Sequence, residues 1–163
     1  MRPIRALFPV LLAAAAGTTP LAAQTTPAEQ EVRQAVDRLF AGMRAGDSTV
    51  VRASFHPSAR LQSVSNRNGT AVLRQDSISA FVRAVGTPHT EVWDERISNV
   101  QIRVDGELAT AWMDYAFFAG SRFSHCGVNA FQLFRGAQGW QVIQITDTRR
   151  AECPNIPGAR RAQ

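Results

Sequence analysis

The chain has 163 residues, 45% of them hydrophobic, and its formal charge of +5 rests on 18 arginines with no lysine. The missing lysine excludes Schiff-base chemistry on a side-chain amine. Apart from the pairs Arg149-Arg150 and Arg160-Arg161 the arginines are spread along the chain, which argues against the clustered basic face of a nucleic-acid binder.

The first stretch, MRPIRALFPVLLAAAAGTTPLAAQ, has a positive start at Arg2 and Arg5, an apolar run from Ala6 to Ala16 and a small-residue end at Ala22-Ala23. This pattern reads as a secretory signal peptide over 1–23, removed on export to a periplasmic or secreted location. The apolar run is too short for the roughly 20 residues of a spanning helix, and no second run of that length follows, so the mature chain is expected to have no membrane span. About 140 residues remain, enough for one core. They are read as a single domain over 24–152 followed by a loose tail over 153–163, which contains two Pro and one Gly.

The domain opens on TTPAEQEVRQAVDRLFAGMRAGD. Thr26, Pro27 and Glu29 form the start signals of a helix, with a capping box between Thr26 and Glu29. Val32, Ala35, Val36, Leu39, Phe40 and Met43 then recur at helical spacing until Gly46. Asp47 caps a short second helix from Ser48 to Ser54 that cannot run far past Pro57. ARLQSVSNRNGT reads as a strand turned by Asn68-Gly69, and a third helix runs from a cap at Asp76 through Phe81 and Val85 to Gly86. Period-two strands follow in EVWDERISNVQIRV, ELATAWMDYAFFA, FSHCGVNAFQLFR and WQVIQITDTRR, separated by Asp105-Gly106, Gly120-Ser121 and Gly136 to Gly139. Helices followed by an antiparallel meander define an α+β domain with helices on one face of a curved sheet.

The long capped helix, GDSTVVRASFHPSARL, and a meander closing on GWQVIQITDTRR together resemble the nuclear transport factor 2-like superfamily. WMDYAFFAGSRFSHCGVNAFQLF and ITDTRRAEC most resemble its exported bacterial group labelled lumazine-binding. The resemblance covers the whole mature chain and implies a cone-shaped fold, N-terminal helices packed on a curved antiparallel sheet. It says less about activity, because the scaffold hosts ketosteroid isomerase, scytalone dehydratase, SnoaL-like polyketide cyclases and many non-enzymatic binders.

Neighbouring strand residues point to opposite faces, so the adjacent His125 and Cys126 are not a catalytic dyad. His56 and His89 lie on distant loops without ligand spacing, so neither a metal site nor a cofactor is expected. With the turns centred on Gly120-Ser121 and Ala137-Gln138, Trp112 and Asp114 share a face with His125, Asn129, Phe131 and Gln144. With Trp93 from the preceding strand, these seven form the expected pocket for a small organic ligand or a partner segment. Asp114 and His125 are the candidate catalytic pair if the chain is an enzyme working by proton transfer; the other reading of the pair is a structural hydrogen bond. Tyr115 has the parity to face away. The opposite row, Met113, Tyr115, Phe117, Val128 and Ile145, is the expected homodimer face. Asp147, Arg149 and Arg150 read as an anion site or, more simply, an ion-paired rim. Two cysteines in an exported chain suggest a Cys126–Cys153 disulfide, since Cys126 falls opposite Arg149 and the tail need only curl back.

Overall fold

The computed structural model describes residues 25–156 and Ala159; the expected signal peptide lies outside the described residues. The first helix, α1 (Pro27–Ala45), begins as its sequence dictates. Thr26 Oγ1 accepts from the Glu29 amide at 3.3 Å, and Glu29 Oε2 accepts from the Thr26 amide at 2.7 Å. Gly46, at φ +67°, closes the helix and returns its amide to Gly42 and Met43, a conformation that glycine adopts without the penalty a Cβ imposes. The stripe Val32, Ala35, Val36, Leu39 and Met43 is buried.

Asp47 caps α2 (Ser48–Ser54) through its side chain to the amides of Thr49 and Val50. The chain passes directly into β1 (Phe55–Arg67), turns at Asn68-Gly69 with both residues at positive φ, and returns as β2 (Thr70–Asp76). The third helix, α3 (Ile78–Gly86), is capped by Ser77 rather than by the expected Asp76: Ser77 Oγ accepts from the Ala80 amide at 3.3 Å. Asp76 instead ends β2, its carboxylate on Arg74 at 3.0 Å.

Four long strands complete the chain: β3 (Trp93–Asp105), β4 (Leu108–Ala119), β5 (Arg122–Gly136) and β6 (Gly139–Arg149). The sheet order is β2-β1-β6-β5-β4-β3. Its pairs are antiparallel except β1–β6, which is parallel because the last strand of the meander closes beside the first strand of the domain. The sheet is curved and unclosed, and the three helices pack in its concavity. Among these contacts, Trp140 Nε1 donates to Glu31 of α1 at 3.2 Å. The core lies between α1 and the sheet and includes Val36, Leu39, Met113, Phe131, Leu133 and Val142.

Of the register shifts in the sheet, those at the two last hairpins decide how β4 and β6 face the helices relative to β5. At the β4–β5 turn, Ala119 pairs with Arg122 and Phe118 with Phe123, but Phe117 then pairs with His125, leaving Ser124 as an extra residue. At the β5–β6 turn, Leu133 pairs with Val142 but Gln132 with Gln144, leaving Ile143 extra. Each such bulge reverses the side-chain parity of one strand against its neighbour.

A second, smaller cluster sits on the convex face, where Ala116, Phe118, Phe123 and Cys126 are covered by Cys153, Ile156 and Ala159. Cys126 and Cys153 are disulfide-bonded, and Cys126 exchanges backbone hydrogen bonds with Arg150, one residue beyond the expected Arg149. The described part of the segment expected to be loose is thus tied down, with Cys153 and Ile156 buried. No helix among the described residues is long and apolar enough to cross a membrane.

Candidate functional site

The register across the sheet stacks the concave side chains in layers. Leu61, Ile145 and Phe131 are paired across β1, β6 and β5, and form an apolar layer. One step along lie Ser63, Asp147 and Asn129, a polar layer. Beyond it Tyr115 pairs with Gly127 and Phe117 with His125. Leu39, Phe40 and Met43 from α1 and Phe81 from α3 face these layers across a half-open cavity of about 90 Å³, space for several waters or for part of a ring-sized body whose remainder stands in the mouth. Phe40 packs on Phe131 with ring centroids 5.9 Å apart.

At the polar end, Asp147 is buried and fully engaged. It accepts from Ser63 Oγ, from Tyr115 Oη at 3.1 Å and from Arg149 Nε at 3.1 Å. Tyr115 Oη also lies 2.9 Å from the Thr148 carbonyl. Burial, reinforced by the Asp147 charge, pushes the Tyr115 phenol far above its ordinary range, so it stays protonated. Burial works against the Arg149 charge, but Asp147 beside it wins and raises the guanidinium above its usual value. Gly127 makes this end possible: a Cβ there would lie 1.8 Å from the Thr148 carbonyl oxygen, a backbone atom that cannot move aside cheaply.

The other titratable groups are Glu95 and His125. Glu95 Oε1 accepts from Asn129 Nδ2 at 2.7 Å. Burial pushes its carboxyl up to about 7, against the pull of that amide and with a further push from Asp147. His125 sits edge-on to Tyr115 and tilted against Phe117, its Nδ1 3.0 Å from Ser124 Oγ. Burial, aided by Arg149, lowers its imidazole to about 4. At neutral pH the cavity therefore holds a neutral imidazole, a neutral phenol and a carboxyl poised between its two forms.

Of the seven expected pocket residues, His125, Asn129 and Phe131 line this cavity. Asp114 does not join them. The Ser124 bulge turns it to the convex face, where it accepts from Asn99 Nδ2 at 2.7 Å, so the Asp114–His125 pair is not formed. Trp112, on the same face, is 54% exposed. Gln144 is turned outward by the Ile143 bulge and bonds Thr146 Oγ1 at 3.0 Å and Gln62. Trp93 packs at the core edge, stacked on His89 at 4.3 Å. The expected dimer row is corrected by the same parity: Met113, Tyr115 and Ile145 are buried core or cavity residues. Arg149 and Asp147 form the expected ion pair, but inside the cavity. Glu95 was missed, although its period-two position between Trp93 and Ile97, both packed against the core, was a signal for an inward side chain. Among the described residues no cluster of His, Cys, Asp and Glu is placed to hold a metal.

Helices seated in a curved, unclosed six-stranded sheet around a half-polar cavity define a nuclear transport factor 2-like domain. The chain belongs to the family described as "Putative lumazine-binding", whose model matches residues 27–146. No curated protein matches the sequence. Among solved structures, it is similar to an NTF2-like protein of unknown function from Shewanella baltica, at 17% identity and TM-score 0.58, with 78% of this chain and 98% of that chain covered. An NTF2-like protein with a cystatin-like fold from Novosphingobium aromaticivorans matches at 14% identity and TM-score 0.58, covering 80% and 84%. A "putative dehydratase from the NTF2-like family" of Streptomyces avermitilis matches at 14% identity and TM-score 0.57, covering 74% and 94%. At these identities the likeness is one of fold.

Proposed function

We propose that the protein is an exported domain that binds a small, partly aromatic organic molecule in the cone, its apolar body against Phe40, Phe81 and Phe131 and its polar end toward Glu95, Tyr115 and Asn129. The observation that carries this is the cavity itself, half apolar and half hydrogen-bonding, on a fold whose family name points to a small ligand. Such division of labour is what a ligand pocket requires: apolar walls for affinity, a few polar groups for orientation. Native mass spectrometry of the protein purified from its own cell envelope tests it. A retained small molecule that is lost in Phe131→Ala is expected, while an empty wild-type protein that binds no member of an aromatic fragment set would refute it.

A second reading is favoured by one observation, the Glu95 carboxyl at about 7 in the same cavity as a neutral imidazole. A base with that value works efficiently at neutral pH, so a proton-transfer enzyme of the isomerase, dehydratase or cyclase kind would use Glu95 in place of Asp114. Glu95→Gln would then lower turnover by roughly a hundredfold or more with ligand still bound. A homodimer, if it forms, has its exposed apolar side chains on the convex face at Leu108, Trp112 and Phe134, and sedimentation at tens of micromolar decides it.

A further inference from the structure

The charge inside the cone is unbalanced, and the excess sits on one side chain. Asp147 carries its own cation, Arg149, at 3.1 Å. Asp76, at the edge of the cavity, carries Arg74 at 3.0 Å. Glu95 forms no ion pair among the described residues and has a single polar partner, the Asn129 amide on Oε1. The other charged groups around it are committed elsewhere. On its own strand, Arg96 lies 2.7 Å from Asp94. From α1, Arg44 also reaches Asp94, and Asp37 is held by Arg33 at 2.9 Å. From β4 and β5 come the protonated phenol of Tyr115 and the neutral ring of His125. Glu95 is half-buried, and the cation that acts on it, Arg149, is already paired with Asp147, so its carboxylate is partly desolvated without a counter-ion of its own. The same cavity is lined by the rings of Phe40, Phe81 and Phe131, and π faces attract cations.

We infer that the ligand class is a small organic cation, an ammonium group on an apolar body of about one ring, with the ammonium donating to Glu95 and the ring lying against Phe40 and Phe131. The inference rests on the reading of the cone as a ligand site and adds the charge of the ligand to it. A cation supplies what the cavity lacks: N–H donors for the free Glu95 oxygen and the missing positive charge. An anion would meet the carboxylates of Asp76, Glu95 and Asp147, with the one guanidinium of the lining already engaged by Asp147.

Binding must then be linked to protonation. Glu95 titrates at about 7 in the empty cone, and a bound ammonium favours its ionised form. Near pH 6 the carboxyl is mostly protonated, so binding should release close to one proton; near pH 8 it should release almost none.

The test uses the mature, disulfide-bonded chain and three probes of one shape: benzylammonium, benzyl alcohol and benzoate, followed by chemical-shift titration at millimolar concentration. Benzylammonium is expected to bind at least tenfold more tightly than benzyl alcohol at pH 7.5, with benzoate weakest. Calorimetry in two buffers of different ionisation enthalpy should show the proton released at pH 6 and not at pH 8. Glu95→Gln should remove the preference for the amine, bringing amine and alcohol to equal affinity. Equal binding of amine and alcohol by the wild type, or a preference for benzoate, overturns the cation and leaves the cone as a ligand site. A tenfold cation preference that survives Glu95→Gln overturns the assigned residue. Failure of all three probes to shift any cavity resonance overturns the inference and counts against the ligand reading as well.

Discussion

Breaking the Cys126–Cys153 bond offers a measurement whose size can be worked from the chain alone. The two cysteines are 27 residues apart and enclose β6 with the part of β5 from Cys126 onward. In the chain-entropy treatment, a loop of that length removes about 3.5 kcal/mol of denatured-state freedom. For a domain of about 140 residues this corresponds to a fall of roughly 10 °C in Tm on reduction. The bond also holds Ile156 over Phe118 and Phe123, so the loss should exceed that of the bond alone when the tail is removed. Urea unfolding of oxidised protein, reduced protein and a chain ending at residue 152 separates the two contributions: reduced should lie about 3.5 kcal/mol below oxidised, and the truncated chain lower again. Thiol titration of the oxidised, denatured protein should find no free sulfhydryl. Coincident unfolding midpoints for oxidised and reduced protein would refute the reasoning, because they would place Cys153 near Cys126 in the unfolded ensemble whether or not the bond is present.

Glu95 and His125 should pull stability in opposite directions with pH. Burial raises Glu95 from 4.5 to about 7, so its contribution is present at low pH and is lost as pH rises across that window; His125, lowered from 6.5 to about 4, contributes stability that is lost as pH falls across its own. The wild-type minus Glu95→Gln stability difference should therefore fall between pH 4.5 and 7, and the wild-type minus His125→Asn difference should rise between pH 4 and 6.5; slopes of the same sign in urea titrations would contradict the assignment. Gly127→Ala forces a Cβ against the Thr148 carbonyl and should cost about 3 kcal/mol or more, with loss of the Tyr115–Thr148 hydrogen bond; an unchanged melt would show that β6 can shift. Phe131→Ala should cost about 3 to 5 kcal/mol, while Trp112→Ala, on an exposed side chain, should stay within about 0.5 kcal/mol and leave ligand binding intact.

The elements were legible because each carries its own chemistry at its ends. Thr26, Pro27 and Glu29 start α1, Gly46 stops it, and Asn68-Gly69 turns β1 into β2. Both later hairpins turn where their glycines put them, Ala119 opposite Arg122 and Gly136 opposite Gly139. The disulfide was legible for a related reason: it needed only the rough alignment of β5 with the end of β6, and it survives a shift of one residue because the tail beyond Arg150 is free to curl.

Cavity membership depends on something finer, the parity of each strand, and parity is where local chemistry falls silent. Ser124 and Ile143 are ordinary strand residues in the middle of continuous runs, with no glycine or proline beside them to mark an insertion. Either bulge is enough to carry a whole strand to the other face. Because β5 lies between the two reversed strands, its own residues His125, Asn129 and Phe131 reach the cavity, while Asp114 on β4 and Gln144 on β6 turn outward and Tyr115 and Asp147 turn in. The two single-residue insertions reverse β4 and β6 together against β5, so Tyr115 and Asp147, 32 residues apart and within 3.1 Å, come to the face that carries His125, Asn129 and Phe131. Removing Ser124 would restore the regular register near the turn and return Tyr115 to the convex face, and with it would go the donor that holds Asp147.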